Sequence, residues 1–227
     1  MRHHKKGIFI TGTDTGVGKT YIAAGIAKEL RSRGVDVGVM KPAETGCRVR
    51  AGKLVPADSR ALMRAAGVRD ALDLVNPCRF RKPLAPSVAA RLEGRMIDLG
   101  MVMRAFRELR KRHDFLIVEG AGGIMVPLWE DRLFIDLAER MGLPVLIVAR
   151  PGLGTINHTL LTVAALQQRK LPLAGIVINH AVTSRQDLAT RTNPGVIEEL
   201  SGTGIPRIVP HGSRDLAQLA DLALQCR

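Results

Sequence analysis

The sequence predicts an α/β fold, a single doubly wound parallel sheet with helices on both faces. Three observations predict it. Short apolar runs, read as buried strands, alternate with stretches whose apolar residues recur at helical spacing. The alternation continues along all 227 residues. No linker and no internal repeat interrupts it, so residues 1–227 read as one domain, with 1–6 a disordered or frayed basic end.

The first strand is Ile8 to Ile10, and the first helix runs from Lys19 with Ile22, Ile26 and Leu30 on one face. A second strand spans Asp36 to Lys41. Residues 47–57 look like a mobile basic loop, and Asp58 or Ser59 caps a helix to about Ala66. Pro77, Pro83 and Pro86 punctuate an irregular stretch before a short helix, Ser87 to Leu92, closed by Glu93-Gly94. Asp98 caps an amphipathic helix bearing Leu99, Val102, Phe106 and Leu109. Then come strand Asp114 to Glu119, a helix near Leu133 to Met141, and strand Pro144 to Ala149. Arg150 to Thr155 opens a helix with Ile156, Leu160 and Val163 on one face, followed by strand Leu173 to Asn179. An irregular segment, Ala181 to Asn193, precedes a helix near Val196 to Leu200; strand Arg207 to Val209 leads to a last helix capped by Ser213.

Hydrophobic residues make up 46% and charged residues 24%, the composition of a soluble globular chain. No apolar run reaches membrane-spanning length and no signal peptide is evident, so the expectation is a cytoplasmic protein without a membrane partner. Cys47, Cys78 and Cys226 are too far apart for a metal site and odd in number, which suggests free thiols in a reducing compartment. The formal charge of +13 raises the question of nucleic acid. Lys and Arg are scattered, however, and aromatics are only 3%, too few for a stacking platform; no nucleic-acid partner is expected.

The chemistry concentrates between the first strand and the first helix. Gly12-Thr-Asp-Thr-Gly-Val-Gly-Lys-Thr20 has the makings of a phosphate-binding loop. Such a loop aims backbone N–H groups at phosphate, its lysine (Lys19) reaches the outer phosphates, and its hydroxyl (Thr20) binds Mg²⁺. Five residues separate Gly12 from Gly18, one more than the usual spacing. Lys41 ends the second strand and points to the same crevice, since ligands gather at the carboxyl ends of parallel strands. Glu119 ends a buried strand and is followed by Gly120-Ala-Gly-Gly123, the form of a metal-holding carboxylate beside a close backbone approach. Asn179 stands at another strand end, where a base edge or a loop is its partner.

Taken together these residues resemble the ATP-dependent dethiobiotin synthetases. Besides the long phosphate loop, Lys41-Pro, Asp58, Val75-Asn-Pro77, Glu93-Gly-Arg95, Val118-Glu-Gly-Ala-Gly-Gly123, Gly154-x-x-Asn-His158 and Ala174-Gly-x-Val-x-Asn179 fall in order at family-like positions. The resemblance implies a fold of the P-loop NTPase kind and a carbon–nitrogen cyclo-ligase of biotin biosynthesis. Its substrates would be ATP, CO2 or bicarbonate and 7,8-diaminopelargonate. A carbamate and then a carbamic–phosphoric anhydride would precede closure of the ureido ring. It further implies catalytic roles for Lys19, Lys41, Thr15 and Thr45, and nucleotide contacts from Thr13, Asp14, Gly16, Val17, Gly18, Lys19, Thr20, Glu119, Gly122 and Asn179. Mg²⁺ would lie against Thr20, Asp58 and Glu119. Thr15, Lys41 and Thr45 would contact substrate, and Leu153, Gly154, Thr155 and Asn157 would receive its carboxylate from the other subunit of a homodimer. The residue types suit the chemistry, because carbamate and triphosphate repel one another unless cations lie between them.

A rival reading is a nucleotide-switch ATPase that positions DNA or membrane partners. Those proteins resemble one another in a lysine early in the loop, where this chain has Asp14.

Overall fold

The computed structural model describes residues 6–183, 187–204 and 207–225. The elements in chain order begin with β1 (Lys6–Gly12), α1 (Lys19–Ser32), β2 (Val37–Met40), β3 (Ala43–Glu44), β4 (Arg48–Arg50), β5 (Lys53–Val55) and α2 (Ala57–Ala66). Next are α3 (Leu72–Val75), β6 (Cys78–Arg79), α4 (Pro86–Leu92), α5 (Leu99–Arg112), β7 (Phe115–Gly123), β8 (Pro127–Trp129) and β9 (Arg132–Leu133). The chain ends with α6 (Phe134–Met141), β10 (Val145–Ala149), α7 (Thr155–Gln168), β11 (Leu173–Asn179), α8 (Leu188–Ser201), β12 (Arg207–Val209) and α9 (Ala217–Gln225).

Six strands form one parallel sheet in the order β12-β11-β10-β1-β7-β2. Alternate residues of each strand feed two separate cores. Ile8, Ile10, Val37, Val39, Phe115, Ile117, Leu146 and Val148 face α1, α2 and α9 through Ile22, Ile26, Leu30, Leu62 and Leu219. Phe9, Leu116, Val118, Val145 and Ile147 face the other way, onto Phe106 and Leu109 of α5, Phe134 and Leu137 of α6, and Val163 and Leu166 of α7. Both faces being covered is why the strands carry no polar face. The strand order departs from β1 in both directions, toward β7 and toward β10. That places the crevice for ligands at the carboxyl end of β1, where the glycine-rich loop begins.

Four local expectations are corrected. Residues 47–57 are not a loop: β4 and β5 pair antiparallel through Arg48↔Val55 and Arg50↔Lys53. Ala51 (φ 49°) and Gly52 (φ 72°) make the tight turn with positive φ at both positions, which suits the twist of a hairpin. Helix α2 begins at Ala57, so Asp58 lies within its first turn and Pro56 holds the cap position. Helix α8 begins at Leu188, well before Val196, because Asp187 caps it by accepting from Thr190 N at 2.8 Å and Thr190 Oγ1 at 2.7 Å. Pro194 is tolerated inside that helix rather than marking its start. Ser213 does not cap α9; Asp215 accepts from Ala217 N at 3.1 Å instead.

Lys6 opens β1, while residues 1–5, including His3 and His4, and Cys226 lie outside the described residues. Cys47 and Cys78 are free and buried, and burial pushes both thiols up to about 11. Among the described residues no helix is long and apolar enough to cross a membrane.

Candidate active site

The site is built on the carboxyl ends of β1, β2 and β7. After β1 the chain turns through Gly12–Gly18 into α1, whose first residue is Lys19. Gly18 (φ 91°) has no room for a side chain: a Cβ would stand 2.1 Å from Asn179 Nδ2. That amide donates to Val17 O at 2.8 Å, so the end of β11 holds the loop in shape. Asp14 is exposed and shapes the loop twice, accepting from Thr15 N at 2.7 Å through its carboxylate and from Lys19 Nζ at 3.3 Å through its carbonyl. Thr13 N donates to Val148 O, while the Thr13 hydroxyl is buried without a partner.

Lys41 follows β2 and is 3% exposed. Its Nζ lies 2.5 Å from Glu119 Oε1, 3.1 Å from Asp58 Oδ2 and 3.2 Å from Gly120 O. Its backbone is tied down as well: Lys41 N donates to Val75 O at 2.7 Å, and Asn76 Nδ2 donates to Lys41 O at 2.6 Å. This is what Val75-Asn-Pro77 does. Thr20 Oγ1 also donates to Glu119 Oε1, at 2.8 Å. One carboxylate oxygen of Glu119 thus takes two donors, while the other, Oε2, is buried with none.

Burial opposes the Lys41 charge more than any other single effect, yet Glu119 and Asp58 together hold its pKa above the ordinary value. Burial pushes the Glu119 carboxyl upward against the pull of Lys41. Lys19 is shifted the other way, down to about 8, chiefly by burial and then by the charge of Lys41. Two lysines therefore share one crevice, one paired directly with two acids and the other hydrogen-bonded to the Asp14 carbonyl.

A cavity of about 550 Å³ brings together Thr15, Gly16, Gly18, Lys19, Thr20, Lys41, Thr45, Asp58, Glu119 and Gly122. Residues the sequence reading missed also line it: Glu44, Val126 and the wall Pro83–Pro86. Glu93 and Arg95 brace the chain leading into that wall. Glu93 Oε1 accepts from Arg81 N at 2.8 Å and Lys82 N at 2.9 Å, and Arg95 donates to Arg79 O at 2.6 Å while stacking over Phe80.

Asn179 lies elsewhere, in a second cavity of about 330 Å³ lined by Thr15, Gly16, Val17, Arg150, His180 and Asp187 among others. The two cavities share Thr15 and Gly16, as the base and phosphate ends of one nucleotide would require. Leu153, Gly154, Thr155 and Asn157 line neither cavity within this chain. They form the start of α7, with Leu153 80% exposed, Asn157 exposed, and the Thr155 hydroxyl buried without a partner.

A metal ion fits the first cavity as a guest of nucleotide and protein together. Among the described residues no cluster of three or more His, Cys, Asp or Glu is poised to hold one alone. Mg²⁺ ordinarily uses one or two carboxylates plus phosphate and water. The unsatisfied Oε2 of Glu119, the Thr20 hydroxyl and Asp58 make such a partial set.

Comparison with known proteins now decides the family. Residues 6–213 match the family model described as an AAA domain. The chain is 45% identical to the ATP-dependent dethiobiotin synthetase of Thermodesulfovibrio yellowstonii, over 91% of this chain and 89% of that one. It is 51% identical to the enzyme of the same name from Anaeromyxobacter dehalogenans strain 2CP-C, over 77% of this chain and 76% of that one. This chain belongs to the ATP-dependent dethiobiotin synthetase family. Among solved structures it is similar to a ParA family ATPase from Chlorobium tepidum, with a TM-score of 0.59 and 16% identity over 97% of this chain and 99% of that one. That likeness is one of fold alone.

Proposed function

We propose that the first cavity is where a dethiobiotin synthetase carboxylates 7,8-diaminopelargonate and closes its ureido ring, using ATP with Mg²⁺ and releasing ADP and phosphate. One observation carries this reading. Thr15, Lys19, Thr20, Lys41, Thr45, Asp58 and Glu119, drawn from four separate stretches of chain, converge on a single cavity beside a phosphate-loop backbone.

The residues divide the work. The loop N–H groups and Lys19 hold the triphosphate, and the α1 N-terminus adds its dipole. Thr20, Asp58 and Glu119 would hold Mg²⁺, whose chemistry is to offset charge on the transferring phosphoryl group. Lys41 lies 2.5 Å from Glu119 and 3.1 Å from Asp58, so its ammonium would be available to substrate where those acids held the metal. The Lys41 ammonium is placed to face the carbamate, whose oxygen attacks the γ-phosphorus as ADP leaves. Thr15 and Thr45 orient the resulting anhydride by hydrogen bonds. The second amine attacks its carbonyl carbon, the C–O bond to phosphate breaks, and the surplus proton of the attacking amine leaves with phosphate or solvent. No side chain need act as base on the carbamate, which is already a nucleophile.

The substrate carboxylate is assigned to the start of α7 in the partner of a homodimer. An exposed helix N-terminus with the unpartnered Thr155 hydroxyl supports that assignment. Asn157→Trp is expected to raise the diamine KM about tenfold while leaving the ATP KM near wild type, a size typical of lost substrate contacts. Equal effects on both constants would remove this helix from the site.

The deciding experiment measures phosphate release from ATP with Mg²⁺ and bicarbonate, with and without the diamine, while mass spectrometry follows the ring product. Diamine-dependent release together with dethiobiotin is expected. Hydrolysis indifferent to the diamine would overturn the assignment.

A further inference from the structure

The start of α2 carries no capping side chain of its own. Its cap position is Pro56, which offers no side-chain acceptor. Four N–H groups at a helix start need partners, and Ser, Thr, Asp or Asn at the cap ordinarily serve. Here the service comes from Glu44, at the end of β3 and distant in sequence. Glu44 Oε1 accepts from Asp58 N at 3.0 Å, and Oε2 accepts from Ser59 N at 3.0 Å and Ser59 Oγ at 2.6 Å. Glu44 is 5% exposed and Ser59 is fully buried. One oxygen of Glu44 is thereby engaged on the backbone of Asp58 itself and the other on its neighbour Ser59.

The geometry points to Glu44 as the positioning residue for Asp58. Its carboxylate fixes the first turn of α2, and that turn aims the Asp58 carboxylate at the cation place now taken by Lys41 Nζ, 3.1 Å away. Asp58 is itself 43% exposed in its side chain, so packing does little to hold it. Glu44 also belongs to the strand that continues from Lys41-Pro42, and β3 pairs with β6 through Ala43↔Cys78 and Glu44↔Arg79. The lysine and the device that aims its acid partner thus come from one short stretch of chain. The inference rests on the reading in which Asp58 holds Mg²⁺.

The test measures metal binding directly, as Mn²⁺ taken up by the ADP-bound protein and followed by electron paramagnetic resonance. Calorimetry of ADP without metal serves as the control. Glu44→Ala is expected to weaken Mn²⁺ binding about tenfold, the size usual for residues that orient a metal ligand, with metal-free ADP affinity unchanged. Glu44→Gln keeps one carbonyl acceptor and is expected to recover part of the loss. The double variant Glu44→Ala/Asp58→Ala is expected to bind Mn²⁺ no worse than Asp58→Ala alone, because one residue acts through the other. Additive losses, or unchanged Mn²⁺ binding in Glu44→Ala, would overturn the inference. A Glu44→Gln variant as weak as Glu44→Ala would do the same, by tying the effect to charge at the metal. If Asp58→Ala alone leaves Mn²⁺ binding intact, the metal reading of Asp58 fails first, and the two failures are told apart.

Discussion

The paired strands β2 and β7 carry a nitrogen side chain held between two acids at each end, and the two ends are finished differently. At the amino ends, His113 lies just before β7, with its Nδ1 2.9 Å from Asp36 Oδ1 and its Nε2 2.9 Å from Asp70 Oδ2. At the carboxyl ends, Lys41 lies just after β2, between Glu119 of β7 and Asp58. In both clusters the third member comes from an end of α2: Asp58 opens it and Asp70 follows it. The amino-end cluster is closed. Both ring nitrogens are engaged, Arg112 NH1 adds a 3.2 Å contact to Asp70, and the ring packs on the backbone of Gly38, where a Cβ would come within 2.4 Å. The carboxyl-end cluster is left open, with Glu119 Oε2 buried and unpartnered and a 550 Å³ cavity beside it. The same three-part motif ties strands to a helix in one place and is kept available for ligand in the other.

Breaking the open end should abolish chemistry and spare the fold. Lys19→Ala is expected to lower turnover by about 10³-fold or more, the scale of losing a charge on the transferring group. Its melting temperature should stay at or above wild type, because a buried ammonium is removed. Normal turnover would remove the glycine-rich loop from the reaction. Glu119→Gln is expected to lower activity about 100-fold at fixed Mg²⁺ and to shift the metal titration to higher concentration. An unchanged titration would take Glu119 out of the metal set.

Breaking the closed end should do the reverse. His113→Ala removes the partner of two carboxylates and is expected to cost about 2–3 kcal/mol of stability, read from denaturant midpoints. Its kinetic constants should stay within about twofold of wild type at a temperature where it is folded, since effects at distant sites are nearly independent. A large kinetic effect would show that the two ends communicate.

The smallest effect sharpens the contrast between the lysines. Lys19, held down to about 8, is only partly charged near pH 8 in the free chain, and phosphate oxygens restore its proton. Nucleotide binding should therefore take up a fraction of a proton near pH 8, rising toward one at higher pH, and affinity should fall as pH rises from 8 toward 10.5. The enthalpy of binding in buffers of different ionisation heat measures this uptake. The sign for stability is opposite. The cost of burying the charged form, at most about 3 kcal/mol, is present in full below pH 8 and fades as pH rises through 8 toward 10.5.

Much of this was legible in the sequence. Strand and helix period is a property of local spacing, so the six sheet strands were located in order and most main helices were found. That the Gly12–Thr20 loop, Lys41 and Glu119 would meet at one crevice could be read because it depends on standing at strand ends. What escaped was decided at a distance. Asp58 looked like a cap because it stands where caps stand, but Glu44 takes that role from another strand. The hairpin at residues 48–55 was hidden by its basic, exposed composition, although Ala51-Gly52 was its turn signal. Asn179 was read as a strand-end polar group, while its bond to Val17 depends on β11 and β1 both flanking β10.

That last bond bears on how the protein is made. Its two ends are 162 residues apart, and β1 acquires its sheet neighbours only when β7 and β10 have been synthesised. The ribosome releases the glycine-rich loop and α1 well ahead of the amide that holds Val17, which emerges only with Asn179. A nascent chain carrying the whole signature therefore has no finished cradle until a further 162 residues beyond Val17 have been translated. Arrested chains ending before β11 should show the loop protease-sensitive and indifferent to nucleotide, and the capacity to bind should arrive late and all at once.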